Sequence, residues 1–335
     1  MLLLAVIGAS AAQFAPPRRH SPATVSPSTV WPAPAAATPD NTMLWIRPGG
    51  QFEVVAATGQ GSELLEDAMA RLRNTTFAWG APQQPRECGP PPPATLQLRR
   101  LVVQVDAQGE PGYPSSTMDE SYTLTIAAPS ATLRSAEVWG AIRGLQTFSQ
   151  LVAHNYSDSC HYHVSGLTVK DAPRYPHRAV MIDTARRFYP VATILAVLAG
   201  MEAAKLNVLH WHATDNEAFP LVLPSHPELA AAGAWTAAGH SYSIADIKRV
   251  VSEARRRAIR VVVELDTPGH VGGLCRSHGT CVPRGYTGMG CLLDPSLPLT
   301  WQLLNDTFSD LCDLFPDDLV MIGGDEVTAS VWERE

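Results

Sequence analysis

Four short apolar runs in the second half of the chain, each followed at once by charged or imidazole side chains, restrict the fold more than any other feature. Residues 179–182 lead into Asp183 and Arg186, and 207–210 into His212 and Asp215, with His210 closing that run. Residues 260–265 lead into Asp266 and His270, and 319–322 into Asp325 and Glu326. Helical patterns separate the runs. Ile194, Leu198 and Met201 mark one face over 191–205, Ser243-Ile244-Ala245-Asp246 reads as a capping box opening a helix to about Arg257, and another helix fits 299–314. The run 260–265 shows little alternation, which suits a parallel strand buried on both faces. Alternating parallel strands and helices place the C-terminal strand ends on one face, where a (β/α) barrel builds its site. One polar cluster would be an ordinary exposed loop, but four in succession favour a site.

The first half reads differently. Residues 1–12 hold a short apolar stretch followed by small residues, like a signal peptide without a basic start. Residues 13–40 are rich in Pro, Ala, Ser and Thr and read as a linker or mobile arm. From 41 to 175 the pattern is a small α+β domain. Strands are expected at 52–57, 101–105 and 122–126. A helix capped by Ser62 runs to Asn74, with Leu65, Met69 and Leu72 on one face, and a second helix spans about 136–153. Residues 82–93, with four consecutive prolines, read as an extended loop. The predicted architecture is α/β: this α+β domain followed, over 176–335, by about four β/α units, the first half of a (β/α)8 TIM barrel.

Composition narrows the function. The 335 residues carry a formal net charge of -7, and the 25 basic residues form no long block, which argues against nucleic acid. No apolar run approaches the ~18–20 residues that span a bilayer. The six cysteines form no CxxC pattern, so finger-type zinc is not expected. Sequons at Asn74, Asn155 and Asn305 suggest N-glycosylation and, with the apolar start, a secreted or lysosomal location; six buried free thiols in a reducing compartment are the alternative.

Asp325-Glu326 is the main acid/base candidate, because Gly323-Gly324 before it permits a tight turn that presents both carboxylates. Most glycosidases flank the scissile bond with two carboxyls about 5–10 Å apart, and adjacent residues are poorly placed for that. His210 and His212 share a strand face, a geometry compatible with metal, but no second ligand cluster accompanies them. A hydrogen-bonded network supporting a carboxylate is the preferred reading. A Ser/His/Asp hydrolase is weaker, since no GxSxG elbow occurs.

Taken together, Phe148-Ser149-Gln150-Leu151, Asp183-Thr184-Ala185-Arg186, residues 207–212, residues 264–270 and Gly323-Gly324-Asp325-Glu326-Val327 resemble the β-N-acetylhexosaminidases of glycoside hydrolase family 20, in order and spacing. Residues 138–147 resemble that family's small domain. The resemblance implies retaining hydrolysis of terminal β-linked N-acetylglucosamine or N-acetylgalactosamine, with the substrate's own acetamido oxygen as nucleophile. It implies Glu326 as general acid and then base, and Asp325 as the group that orients the acetamido. Arg186, Asp215 and His270 would bind substrate or line the site, with His210, His212 and Asp266 in support. No metal or organic cofactor is implied. The partner is a glycan, with a homodimer possible as in full-length relatives.

Three departures stand against the pattern. Met321 replaces a usual His, and Asn216 replaces a frequent Asp. The chain also stops at Glu335, where the family barrel would continue for four more strands. The alternative function is therefore a catalytically inactive fragment that at most binds glycans or a partner. Cysteine positions follow no known relative; Cys88–Cys160 and Cys281–Cys291 are the pairings entertained.

Overall fold

The computed structural model describes residues 27–48, 51–57, 61–77, 92–155, 161–236, 240–282 and 290–334. The expected signal segment, half of the 13–40 linker, most of the 82–93 loop, and Cys88 and Cys160 lie outside the described residues.

The N-terminal unit contains β1 (Ala36–Ile46), β2 (Glu53–Ala56), α1 (Glu63–Thr76), β3 (Arg100–Val105), β4 (Tyr122–Ile126), β5 (Ser130–Ser135), α2 (Val138–Leu151), β6 (Ala153–His154) and β7 (Tyr162–Asp171). Its sheet runs β1-β7-β4-β5-β3-β2, with β6 on β7. Ser62 caps α1 by accepting from the Leu65 N–H, as its sequence position predicted. Leu65, Met69 and Leu72 of α1 and Ile142, Leu145 and Leu151 of α2 join the sheet's inner residues in one core. Two helices on one face of a mixed sheet are the expected α+β arrangement.

One boundary moves. The expected linker gives way at Ala36, because Ala36–Pro39 pair in register with Leu167–Lys170 of β7. Pro39 and Asp40 sit at the register shift of β1, where an edge strand accommodates a missing donor. Composition suggested a linker there, and partnership with a distant strand overrode it. β5 and β7 were not anticipated either: their turns lack the Gly-rich signals that mark hairpins.

The second unit contains β8 (Ala179–Asp183), α3 (Val191–Ala203), β9 (Val208–Thr214), α4 (Pro227–Gly233), α5 (Ile244–Arg255), β10 (Arg260–Leu265), α6 (Gly272–Cys275), β11 (Cys281–Val282), β12 (Leu292–Leu293) and α7 (Pro298–Leu314). β8, β9 and β10 form a parallel sheet in the order β10-β9-β8. All six residues of β10 are buried, as the unalternating apolar run required. The capping box of Ser243 and Asp246 forms in both directions at the start of α5. The expected fourth strand at 319–322 is shorter than predicted: Met321 makes a single parallel bridge to Glu264. Hydrogen bonds from Met321 N to Val263 O, Leu265 N to Met321 O and Thr267 N to Ile322 O nevertheless seat this segment beside β10. None of the described helices is long and apolar enough to cross a membrane.

The two units are tied by charge. Arg143 of α2, fully buried, donates to Glu120 at 2.7 Å and to the carbonyls of Arg257 and Ala258 at 3.2 and 2.6 Å. Arg178, just before β8, donates to the same Glu120 at 3.0 and 2.6 Å. Glu120 thus joins a helix of the first unit to the entrance of the parallel sheet.

Cysteine pairing departs from expectation. Cys275 and Cys281 form the disulfide, while Cys291, the expected partner of Cys281, is a buried free thiol with its Sγ 3.6 Å from that of Cys275. Sequence spacing cannot rank pairings; the short return from α6 into β11 sets this one.

Candidate active site

The polar clusters that follow the strands converge. His210 and His212 of β9 project to one side and meet Glu264 of β10: His210 Nε2 and His212 Nδ1 lie 2.6 and 2.8 Å from its Oε2. Their shared face follows from the two-residue strand period. His212 Nε2 lies 2.8 Å from Asp215 Oδ2. Asp215, 1% exposed, also accepts from Arg186 Nη2 at 2.7 Å and the Asn216 N–H at 2.6 Å, and lies 3.1 Å from His270 Nδ1. Arg186 is held from behind by Asp183 at 3.0 Å. His270 Nε2 then reaches 3.4 Å from Glu326 Oε2 and 3.9 Å from Asp325 Oδ2. A continuous path of carboxylates and imidazoles therefore runs from Glu264 through His212, Asp215 and His270 to the acid pair.

Electrostatics fit that path. Burial pulls the His212 imidazole down, but hydrogen bonds to Asp215 and Glu264 more than reverse this and push its pKa up to about 10. Burial raises Asp215 and Glu264, and their cationic and N–H partners bring both below the ordinary carboxylate range. His212 is thus an imidazolium clamped between two carboxylates. Asp266 moves the other way: burial raises its pKa, and the Gly324 N–H and His270 only partly offset this.

The loop carrying the acids is built by glycine and tension. Gly323 and Gly324 have φ of 64° and 101°, and Glu326 and His270 take φ of 50° and 54°. Non-glycine residues in this left-handed region cost about 1–3 kcal/mol each and cluster at functional sites. A Cβ on Gly323 would overlap the Asp266 carboxylate, and Asp266 Oδ1 accepts the Gly324 N–H at 3.1 Å. Asp266 and Gly323 therefore fit together only without a side chain at 323. Glu326 and Asp325 project outward, 78% and 71% exposed at the side chain.

The sequence-predicted residues Arg186, His210, His212, Asp215, Asp266, His270, Asp325 and Glu326 lie in this one region, and the sequons at Asn74 and Asn305 lie on α1 and α7. Among the described residues the polar contact of the His210 side chain is Glu264, at the rim of the region. Asn216 keeps a polar role: its Oδ1 accepts from the Gly272 N–H at 3.2 Å, and its Nδ2 lies 3.3 Å from His270 Nδ1. Met321 is 43% exposed. Sequence reasoning did not single out Glu264 as a site residue; its signal was an acidic residue inside an otherwise apolar buried strand.

Parallel strands bring an imidazole-backed carboxylate pair together at their C-terminal ends, an arrangement suited to acid/base chemistry. Residues 175–335 match the model of glycosyl hydrolase family 20, catalytic domain, and residues 30–151 match that of beta-acetyl hexosaminidase like proteins. The chain is 34% identical to beta-hexosaminidase subunit beta of Mus musculus over 344 residues, covering 99% of this chain and 61% of that protein. The Homo sapiens subunit beta is also 34% identical, over 347 residues, with the same coverage. Among solved structures, a Flavobacterium johnsoniae chitobiase superposes with a TM-score of 0.76 at 25% identity, covering 92% of this chain and 46% of that one. The chain belongs to glycosyl hydrolase family 20. It spans about three fifths of the length of the curated relatives it matches, which are 61% covered.

Proposed function

We propose that this chain carries the acid/base half of a β-N-acetylhexosaminidase, removing terminal β-linked N-acetylglucosamine or N-acetylgalactosamine with retention. The observation that carries the reading is Glu326 on the Gly323-Gly324 turn, backed 3.4 Å away by His270, which is itself held by Asp215. Two adjacent acids do not flank a sugar ring, so the nucleophile must come from elsewhere, and substrate assistance supplies it. Glu326 donates its proton to the glycosidic oxygen while the acetamido carbonyl oxygen attacks C1. The C1–O bond breaks, the alcohol leaves, and a cyclic oxazolinium forms. Glu326, now a carboxylate, takes a proton from the water that attacks C1 and restores the acetamido group. Asp325 accepts from the acetamido N–H and offsets its developing positive charge. Arg186, fixed by Asp183 and Asp215, binds sugar hydroxyls with its remaining donors. His270 and the His212 network position the acid, and neither metal nor organic cofactor takes part in these steps.

The architecture belongs to the same reading: an N-terminal α+β domain and the opening β/α units of a (β/α)8 barrel. The exposed apolar side chains of Met181 on β8 and of Leu319, Met321 and Ile322 beside β10 support further strands closing over this side. The relatives are named as subunits, which supports assembly with a second chain, a homodimer being the simplest form. Exposed Asn74 and Asn305 and the Cys275–Cys281 disulfide support an oxidising route to a secreted or lysosomal destination. The inactive-fragment alternative is not the better supported reading.

The test is release of nitrophenol from p-nitrophenyl N-acetyl-β-D-glucosaminide and its galacto epimer. Glu326→Gln should lower kcat/KM by roughly 10²–10⁴-fold, and the corresponding glucoside without an acetamido group should be inert. Equal rates for Glu326→Gln and the parent, or turnover of the plain glucoside, would overturn the assignment.

A further inference from the structure

We propose that His226, Glu228 and His278 form a binding site for a divalent transition ion of the zinc type, separate from the acid pair and its imidazole network. One ligand atom of each residue lies within 4.8 Å of the others. His226 Nδ1 lies 2.9 Å and His278 Nε2 3.4 Å from the same Glu228 oxygen, Oε1. Tetrahedral zinc with N and O ligands at about 2.0–2.2 Å holds neighbouring ligand atoms about 3.3–3.6 Å apart. Two of the cluster's three separations, 2.9 and 3.4 Å, lie near that range, and the third is under 4.8 Å.

The proton inventory points to a cation. Ser277 Oγ donates its only proton to Leu274 O at 2.9 Å, so at 2.8 Å from His278 Nδ1 it accepts from that nitrogen. A neutral His278 then turns the lone pair of Nε2 towards Glu228. His226 does the same with its nitrogens reversed: Nε2 faces Asp306 Oδ2 at 3.3 Å, a donor position, and leaves Nδ1 facing Glu228. With those protons placed outward, both imidazoles turn a lone pair towards the same carboxylate oxygen, the arrangement a divalent ion takes up. Each histidine also has the outer partner that metal-bound imidazoles almost always have on the other ring nitrogen, a carboxylate for His226 and a hydroxyl for His278.

The frame is fixed rather than floppy. Ser225 is pinned to α7 by Asp310, which accepts from its backbone N–H at 2.8 Å and its hydroxyl at 3.0 Å. His226 and His278 are 16% and 17% exposed, and Glu228 is 49% exposed, which leaves an approach for the ion. Two imidazoles among three ligands select zinc, nickel or copper over calcium and magnesium. The ion would tie the start of α4 to the loop between α6 and β11, the loop spanned by the Cys275–Cys281 disulfide.

The experiment is zinc titration of the chelator-stripped protein by calorimetry, with bound metal counted by elemental mass spectrometry and the melting temperature followed in parallel. One equivalent should bind and raise the melting temperature. Glu228→Gln, a change at a half-exposed position that leaves the fold intact, should weaken binding at least tenfold, and His226→Ala/His278→Ala should abolish it. Asp306→Asn should weaken it by roughly 10–100-fold as a loss of the outer partner, whereas His270→Ala in the acid network should leave it unchanged. No stoichiometric zinc in the parent, or binding that survives His226→Ala/His278→Ala, overturns the proposal; so does zinc lost on His270→Ala and kept on Glu228→Gln. Calcium in place of zinc should give no heat and no melting shift.

Discussion

Removing Glu120 should damage the protein more than removing either arginine that binds it. Glu120 is 5% exposed and ionised: burial raises its pKa, but Arg143 and Arg178 bring it below the ordinary range. In Glu120→Ala, Arg143 keeps its two carbonyl partners but remains 1% exposed with no counterion in contact. Breaking a buried pair in this way costs about 3–5 kcal/mol. In Arg143→Leu, Glu120 keeps two bonds from Arg178 and one from Asn207 Nδ2 at 3.1 Å. What is stranded there is the buried carbonyl of Ala258, that of Arg257 being only part-buried. An unsatisfied buried acceptor costs about 1–3 kcal/mol, and the apolar replacement recovers part of that, so the net loss should be about 1–3 kcal/mol. Glu120→Ala/Arg143→Leu should be less destabilised than the sum of the two, because the second change removes the charge stranded by the first. The assay is urea unfolding at pH 7, followed by tryptophan fluorescence and far-UV circular dichroism together. An Arg143→Leu midpoint at or below that of Glu120→Ala, or strict additivity in the double variant, would refute the view of Glu120 as the shared counterion of the domain junction.

Gly323→Ala should lower kcat/KM on the aryl glycoside by at least ~10²-fold, the scale of an ångström-level misplacement, and cost about 1–3 kcal/mol in strain. Its Cβ would meet the Asp266 carboxylate at φ of 64°, whereas Gly112→Ala, with nothing within 4 Å, should be silent in rate and melting temperature. His212, whose pKa is raised to about 10 from a usual 6.5, adds stability that is fully present below pH 6.5 and lost as pH climbs towards 10. The melting-temperature gap between the parent and His212→Gln should therefore be widest near pH 6 and shrink towards pH 10; a gap that grows with pH would contradict the imidazolium. Asp215 and Glu264, whose pKa values are lowered, should narrow the same gap at the acid end, as pH falls below about 4.

Much of the candidate site was legible because its residues follow buried strands at short, regular offsets. The run 260–265 announced a strand covered on both faces, and Asp266 and His270 came directly after it. Ser62 and the Ser243–Asp246 box marked helix starts because capping is local: a side chain satisfies a backbone N–H within three residues. Local chemistry of this kind needs no partner from elsewhere in the chain.

Other features depend on distant partners and left no such mark. Residues 36–39 have a linker's composition and become a strand because β7 offers its edge. Glu264 reads as an interruption in an apolar run until His210 and His212 arrive beside it from β9. Cys281 pairs with Cys275 rather than Cys291, although the two candidate sulfurs crowd the same place. His226 and His278, 52 residues apart, share one carboxylate oxygen only because α4 and the loop after α6 meet. Periodicity, caps and glycine turns are written in neighbouring residues, so the sequence by itself determined the α/β alternation and the presentation of Asp325 and Glu326. Charge pairing, strand partners and disulfide choice are contests between groups far apart in the chain, and only the tertiary packing decided them.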